Sequence, residues 1–171
     1  MNFQDAYNRV ERRIEERYGI DVTIADVVDP NTGDFDGSRI SIDYDQDLEV
    51  ALFVLVHLFG HTVQWNISEE FRRIGLDSTP GKSEEEMAAI YVYERDATRY
   101  SLELLHEAGV VDLDSWVSDW WRADWEFLRH FYETGERLDV RSLLVRGVGD
   151  ALTPLPIPEF TPRRWVSRWS F

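Results

Sequence analysis

Apolar positions recur along this chain with two periods. Phe3, Ala6, Tyr7, Val10, Ile14 and Tyr18 are spaced by three and four, which predicts an amphipathic helix ended by Gly19. Residues 20–28 are rich in β-branched side chains and read as a strand. The stretch 29–37, Asp-Pro-Asn-Thr-Gly-Asp-Phe-Asp-Gly, has turn chemistry. Residues 39–44 alternate apolar and polar side chains, the pattern of a strand with one buried face. A hairpin or small antiparallel sheet is the expected outcome.

Residues 49–65 break both periods, because they are apolar on every side. A helix of that kind is a buried one, and the run is shorter than a bilayer span calls for. Asp45 or Asp47 is placed to cap it. Residues 67–82 are polar and contain Thr79-Pro-Gly81, which predicts a connecting loop with at most a helical turn. Ser83-Glu-Glu-Glu86 is a capping box for a helix running to about His106, with Gly109 beyond. Its apolar stripe is Met87, Ile90, Tyr91, Ala97, Ser101, Leu104, Leu105 and Ala108, and Glu94 falls in the middle. Asp96 points away from that stripe. Asp114 or Ser115 should cap a fourth, tryptophan-rich helix ending near Thr134, most simply read as core. A short helix fits residues 139–148. The expected organisation is one domain over 1–152 and a Pro/Arg/Trp-rich arm over 153–171. The arm, with Arg163, Arg164 and Arg168 between Trp165 and Trp169, reads as a segment folded back on an acidic body; stacking on nucleic acid is the alternative.

The buried helix carries the candidate chemistry. His57 and His61 are two of only four histidines, and a spacing of four sets them about 40° apart, one turn above the other. They are either two core histidines bonded to separate partners or a pair sharing a metal ion. Glu94 bears on the choice, since a carboxylate on a buried helix face is costly unless paired or metal-bound. His57, His61 and Glu94 together make a three-ligand set with a position left open, the pattern of catalytic zinc; the same triad also suits non-haem Fe(II). A helical di-iron site is a weaker option. Glu103 and His106 have its E-x-x-H spacing, but no second such pair occurs, and Glu126 and His130 are four apart.

Charge and composition narrow the partners. The net charge is −15, which disfavours nucleic acid and anionic membranes. One lysine, Lys82, stands against seventeen arginines, consistent with salt adaptation or with codon bias. With no cysteine there is no thiolate ligand or nucleophile. The first ten residues lack an apolar signal core, so the expected location is cytoplasmic.

A strand containing Ile40-Ser-Ile-Asp43, followed by Phe53-Val-Leu-Val-His-Leu-Phe-Gly-His61, resembles the zincin-like metallopeptidases of the ImmA/IrrE type, which read roughly F-T-L-x-H-E-L-G-H. Their later E-x-E-A-x-x-F-A-x-x-L-L is similar to Glu94-Arg-Asp-Ala-Thr-Arg-Tyr-Ser-Leu-Glu-Leu-Leu105, identical at Glu94, Ala97, Leu104 and Leu105. The resemblance covers about residues 20–106. It implies an α+β zincin-like fold, a small antiparallel sheet on a mainly helical domain, zinc on His57, His61 and Glu94, and cleavage of a regulatory protein. One departure is decisive for function: the family's glutamate between the histidines, which takes the proton of the attacking water, is Leu58 here. Leucine cannot take a proton. Gln64, one turn after His61, is an orienting group but not a base, and Glu69 or Glu70 could reach the site only if the chain turned back after Trp65. The expectation is therefore a zinc-binding zincin-like protein without classical peptidase activity, a regulatory or binding module for a protein or peptide. The alternatives are an active metallo-endopeptidase with its base outside H-x-x-x-H, and a purely structural domain with a metal that only staples the fold or with no metal.

Overall fold

A computed structural model describes residues 2–148 and 150–165. In chain order the elements are α1 (Phe3–Tyr18), β1 (Asp21–Ala25), β2 (Gly33–Phe35), β3 (Arg39–Asp43), α2 (Leu48–Ile67), α3 (Glu69–Leu76), α4 (Glu84–Glu107), α5 (Asp114–Thr134) and α6 (Val140–Leu143). The class is α+β, as the two periodicities predict.

The sheet is mixed, not antiparallel. Its order is β1-β3-β2, with β1 parallel to β3 and β2 antiparallel to β3. The correction lies in the stretch read as turn. Gly33-Asp34-Phe35 pairs as a short strand, with Phe35 opposite Ile40. The true hairpin is β2–β3, closed by Asp36-Gly37-Ser38, and β1 is left to join the far side of β3. Two features make that tight connection work. Gly37 has φ 99°, a region that favours glycine, and the Asp36 carboxylate accepts from the Ser38 and Arg39 amides at 2.9 Å. Ile40 and Ile42 are fully buried, so β3 presents its apolar face to the core and β2 becomes an edge.

The helices start and stop largely where their caps predict. Asn2 accepts from the Asp5 amide, and Gly19 closes α1 at φ 67°. Asp47, not Asp45, caps α2. Ser83 and Glu86 form the capping box of α4. α5 differs: its cap is Leu113, with no side-chain bond, while Asp114 is the first helical residue and accepts from His106. The polar stretch after Ile67 holds a full short helix, α3, capped by Ser68. On α4 the stripe widens to include Tyr93, Thr98, Tyr100 and Leu102, while Tyr91 is exposed.

At 20 residues α2 is long enough and apolar enough to cross a membrane, longer than its apolar run suggests. It is nonetheless the core helix, with 72% of its most apolar window buried against its neighbours. Its closest partner is α4. A Cβ on Gly60 would run into the Ala97 carbonyl, with the Ala97 Cα at 2.8 Å. The Ser101 hydroxyl donates across the crossing to the Val56 carbonyl at 2.8 Å. Small residues at 60, 97 and 101 thus let the two backbones touch.

Residues 153–165 of the arm lie on their own domain. The Leu155 amide and the Thr153 carbonyl bond to Arg99, the Phe160 ring stacks on Tyr18, and Arg72 sits 3.8 Å over the Trp165 ring. Arg168 and Trp169 lie outside the described residues.

The helix crossing generates a prediction with a definite sign. Glycine to alanine inside a helix ordinarily stabilises by roughly 0.5–1 kcal/mol, whereas forcing a methyl into a packed contact costs about 1–3 kcal/mol. At Gly60 the obstacle is backbone, which cannot swing aside, so the second effect wins. Gly60→Ala is expected to lower the midpoint of chemical unfolding relative to wild type. An unchanged or raised midpoint would show that the helices can separate at no cost.

Candidate metal centre

The crossing of α2 and α4 decides what the two histidines face. His57 and His61 leave the same side of α2, and Glu94 leaves α4 one turn before Ala97. The His57 Nε2, His61 Nε2 and Glu94 Oε2 atoms form a nearly equilateral triangle, 3.0 Å between the nitrogens and 3.1 Å from each to the oxygen. The alternative of two core histidines with separate partners is therefore excluded: both imidazoles meet the same carboxylate oxygen. His61 and Glu94 are buried, at 2% and 4% exposure, and His57 is partly so.

The rings are held by stacking. His61 lies between Phe35 of β2 and Tyr93 of α4, with centroids 5.8 and 4.4 Å away, and His57 stacks on Phe53 at 5.5 Å. Gln64, fully buried, fixes the protonation of His61. Its amide nitrogen donates to the Tyr93 carbonyl at 2.7 Å, so its oxygen is left to accept from His61 Nδ1–H at 2.9 Å. A neutral His61 with its proton on Nδ1 aims a lone pair from Nε2 into the triangle. This is the support that a metal-binding histidine ordinarily has, and it realises the orienting role that the sequence allows for Gln64.

That arrangement is short of hydrogen. A proton on His57 Nε2 can satisfy one contact, but neutral His61 Nε2 and Glu94 Oε2 would still face each other as two acceptors. Either a further proton or a metal ion must fill the triangle. When the further proton is the one on His61 Nε2, burial pushes the Glu94 carboxyl up, but the charge attraction of His61 and the hydrogen bonds from His57 and His61 more than offset it, and the net shift is downward. The carboxylate form that a ligand requires is thus the favoured one. A triangle of this size has corners about 1.8 Å from its centre, close to zinc-like ligand distances of about 2.0–2.2 Å, so the three atoms would suit an ion of that kind and would leave a fourth ligand position to be filled from outside the triad. His57, His61 and Glu94 can hold a metal ion.

The triangle forms the floor of a cavity of about 430 Å³. Its walls are mostly apolar: Phe53, Val54 and Leu58 from α2, and Phe127, Leu128 and Phe131 from α5. The tryptophan-rich helix therefore divides its labour. Trp116, Trp120 and Trp121 go to the core, while the next turns line the cavity. Leu58 lines the same cavity, and β2 covers it from one side, since a Cβ on Gly33 would lie 2.8 Å from Leu58 Cδ1.

The other carboxylates separate clearly. Glu69 lies in a groove under the arm with Arg72 and Trp165, and neither Glu69 nor Glu70 lines the metal cavity. Asp96 bonds to Arg95 and Arg99. The E-x-x-H alternative is not assembled: His106 pairs with Asp114 and His130 with Glu136, and neither belongs to a metal-capable cluster among the described residues. One functional candidate goes unmarked in the sequence. Asp124 of α5 lines the cavity, with its Oδ2 3.9 Å from His57 Nε2. It stands one turn after the core residue Trp120 and one turn before the cavity residue Leu128, a position that acquires meaning only once the cavity is known. Comparison of the chain with protein-family models, with curated proteins and with solved structures returned no match.

Proposed function

We propose that this protein binds one zinc ion at His57, His61 and Glu94 and uses it to hold a ligand or peptide in the apolar cavity above, without classical peptidase chemistry. The observation that carries the reading is the convergence of two imidazole nitrogens and a buried carboxylate oxygen within 3.1 Å of one another, with the His61 lone pair turned inward by Gln64. Two nitrogens and one oxygen with a fourth position to be filled suit zinc; Fe(II) accepts the same set. The resemblance to ImmA/IrrE-type zincins favours zinc. The ion would supply Lewis acidity to whatever oxygen enters the fourth position. The chain supplies the apolar walls, the stacked imidazoles and the close helix crossing that keeps them in register.

Elemental analysis is the test. Wild type incubated with zinc and desalted is expected to retain about one ion per chain, and His57→Ala, His61→Ala and Glu94→Ala to retain little, because each removes one of only three ligands. A folded wild type that retains none would overturn the reading.

Leu58 carries the claim about chemistry. A well-placed general base contributes about 10²–10⁴-fold to such a hydrolysis, and a leucine side chain contributes none of it. Leu58→Glu restores H-E-x-x-H on an intact ligand set. It is expected to gain chelator-sensitive cleavage of an unfolded protein substrate, such as casein, over a wild type that shows none. Chelator-sensitive cleavage by wild type, lost in His61→Ala, would instead favour the second reading, an active metallo-endopeptidase with its base outside the motif. The proximity of Asp124 to His57 is the observation on that side.

A further inference from the structure

Residues 161–165 of the arm make contacts that the metal triangle by itself does not require, and Asn66 of α2 is their hub. Its side-chain oxygen accepts from the Arg163 amide at 2.9 Å and from the Trp165 indole N–H at 3.2 Å. Its side-chain nitrogen donates to the Gly37 carbonyl at 2.8 Å and to the Thr62 carbonyl at 2.9 Å. One amide thus ties the arm, the β2–β3 turn and α2 together with its full hydrogen-bonding capacity. The Trp165 amide also donates to the Asp36 carbonyl at 2.6 Å. A Cβ on Gly37 would run into the Arg163 carbonyl and the Trp165 ring, so the arm comes this close only because the turn holds a glycine.

The turn in question controls one face of His61. β2 is three residues long and lies at an edge of the sheet, paired within it to β3, and so short a strand has little stability of its own. Its last residue, Phe35, stacks on His61 with centroids 5.8 Å apart and meets Trp65 at 4.4 Å. Asp36, to which the arm bonds, follows directly. A second route serves the other face. Arg72 lies 3.8 Å over the Trp165 ring and bonds to the Trp65 carbonyl. The Trp65 indole donates to the Tyr93 hydroxyl at 2.9 Å, and Tyr93 stacks on His61 at 4.4 Å. Both rings that sandwich His61 therefore touch residues that the arm helps to hold.

We propose that residues 161–165 are a latch on the metal centre. Docked, they fix the β2–β3 turn and keep Phe35 over His61, with the Nε2 lone pair aimed into the triangle. Released, they free the turn, and Phe35 and the imidazole gain room to move. The proposal rests on the zinc-binding reading above. Asn66 and Trp165 are positioning residues in it, since neither lines the metal cavity. Linkage makes the effect reciprocal: a docked arm raises metal affinity, and bound metal holds the arm down by the same factor. Capture of residues 161–165 by a partner would weaken the metal centre without touching it.

Two measurements on the full chain test this. Zinc affinity is read by competition with a chromophoric chelator in wild type, Trp165→Ala and Leu155→Ala. Leu155 is the control, because it packs on the core and bonds through its amide to Arg99 at the other end of the arm. Trp165→Ala is expected to lose affinity about tenfold and Leu155→Ala less than about twofold. Hydrogen exchange of wild type gives the reciprocal quantity: zinc is expected to slow the Arg163 and Trp165 amides about tenfold and to leave the Leu155 amide unchanged. An unchanged affinity in Trp165→Ala, or exchange at 163 and 165 that zinc does not slow, overturns the latch and leaves the metal reading standing. Equal losses in both variants, or equal slowing along the whole arm, overturn it too, by reducing the effect to general stability. Wild type that takes up no zinc removes the metal reading and the latch together. If Trp165→Ala does not fold, Trp165→Phe replaces it, keeping a ring beneath Arg72 but losing the bond to Asn66, with a smaller loss expected. The exchange measurement needs no variant.

Discussion

The close contact of α2 with α4 at Gly60 and Ala97 is the constraint from which the rest follows. Helices packed through larger side chains lie about 8–10 Å apart; with no side chain at Gly60 the backbone of α2 can approach that of α4 at Ala97 directly. Removing the side chain at Gly60 and shrinking those at 97 and 101 lets the Ser101 hydroxyl reach the Val56 carbonyl across the gap. Glu94, one turn from Ala97, is then pressed between His57 and His61. The remaining core serves that crossing. α1 and β3 cover the back of α2, and the tryptophans of α5 close over its N-terminal half through Glu49, which accepts from both Trp116 and Trp120.

A second consequence is where polarity is allowed. Apart from its caps, α2 has few polar side chains, and the buried ones are engaged: Thr62 donates to the Leu58 carbonyl, and Gln64 bridges His61 to Tyr93. His57 Nδ1 is the exception, buried without a hydrogen-bond partner. An imidazole with one unsatisfied nitrogen is expensive in an apolar core, and its retention makes sense where the other nitrogen is engaged by something stronger than a single neutral hydrogen bond. Beside it, Leu58 keeps the cavity apolar where the resembling peptidases carry a charge. With Asp124 on the opposite wall, the centre has a carboxylate at a different place and from a different helix.

Much of this was legible in the sequence because it depends on local rules. The stripes of α1 and α4, the all-round apolarity of α2, and the caps at Asp47 and Ser83 follow from spacing and residue type. That His57, His61 and Glu94 belong together follows from three polar groups on faces that are otherwise apolar. What was hidden depends on contacts between distant segments. β2 is three residues long and sits among turn-forming residues, so its pairing with β3 and the resulting parallel β1 have no signature in periodicity. α3 is too short and polar to separate from a loop. Asp124 lies in a helix read as aromatic core, and nothing in its neighbours' spacing says that the helix turns from core to cavity there.

The central claim is that His57, His61 and Glu94 bind the ion themselves. In a protein of net charge −15, metal uptake alone is weak support, since surface carboxylates also collect cations. X-ray absorption spectroscopy of the zinc-loaded protein separates the two cases. The account predicts a low-coordinate zinc with two imidazole nitrogens and oxygen at about 2.0–2.2 Å, and the outer-sphere scattering of two imidazole rings. An all-oxygen, six-coordinate environment with no imidazole contribution would contradict it.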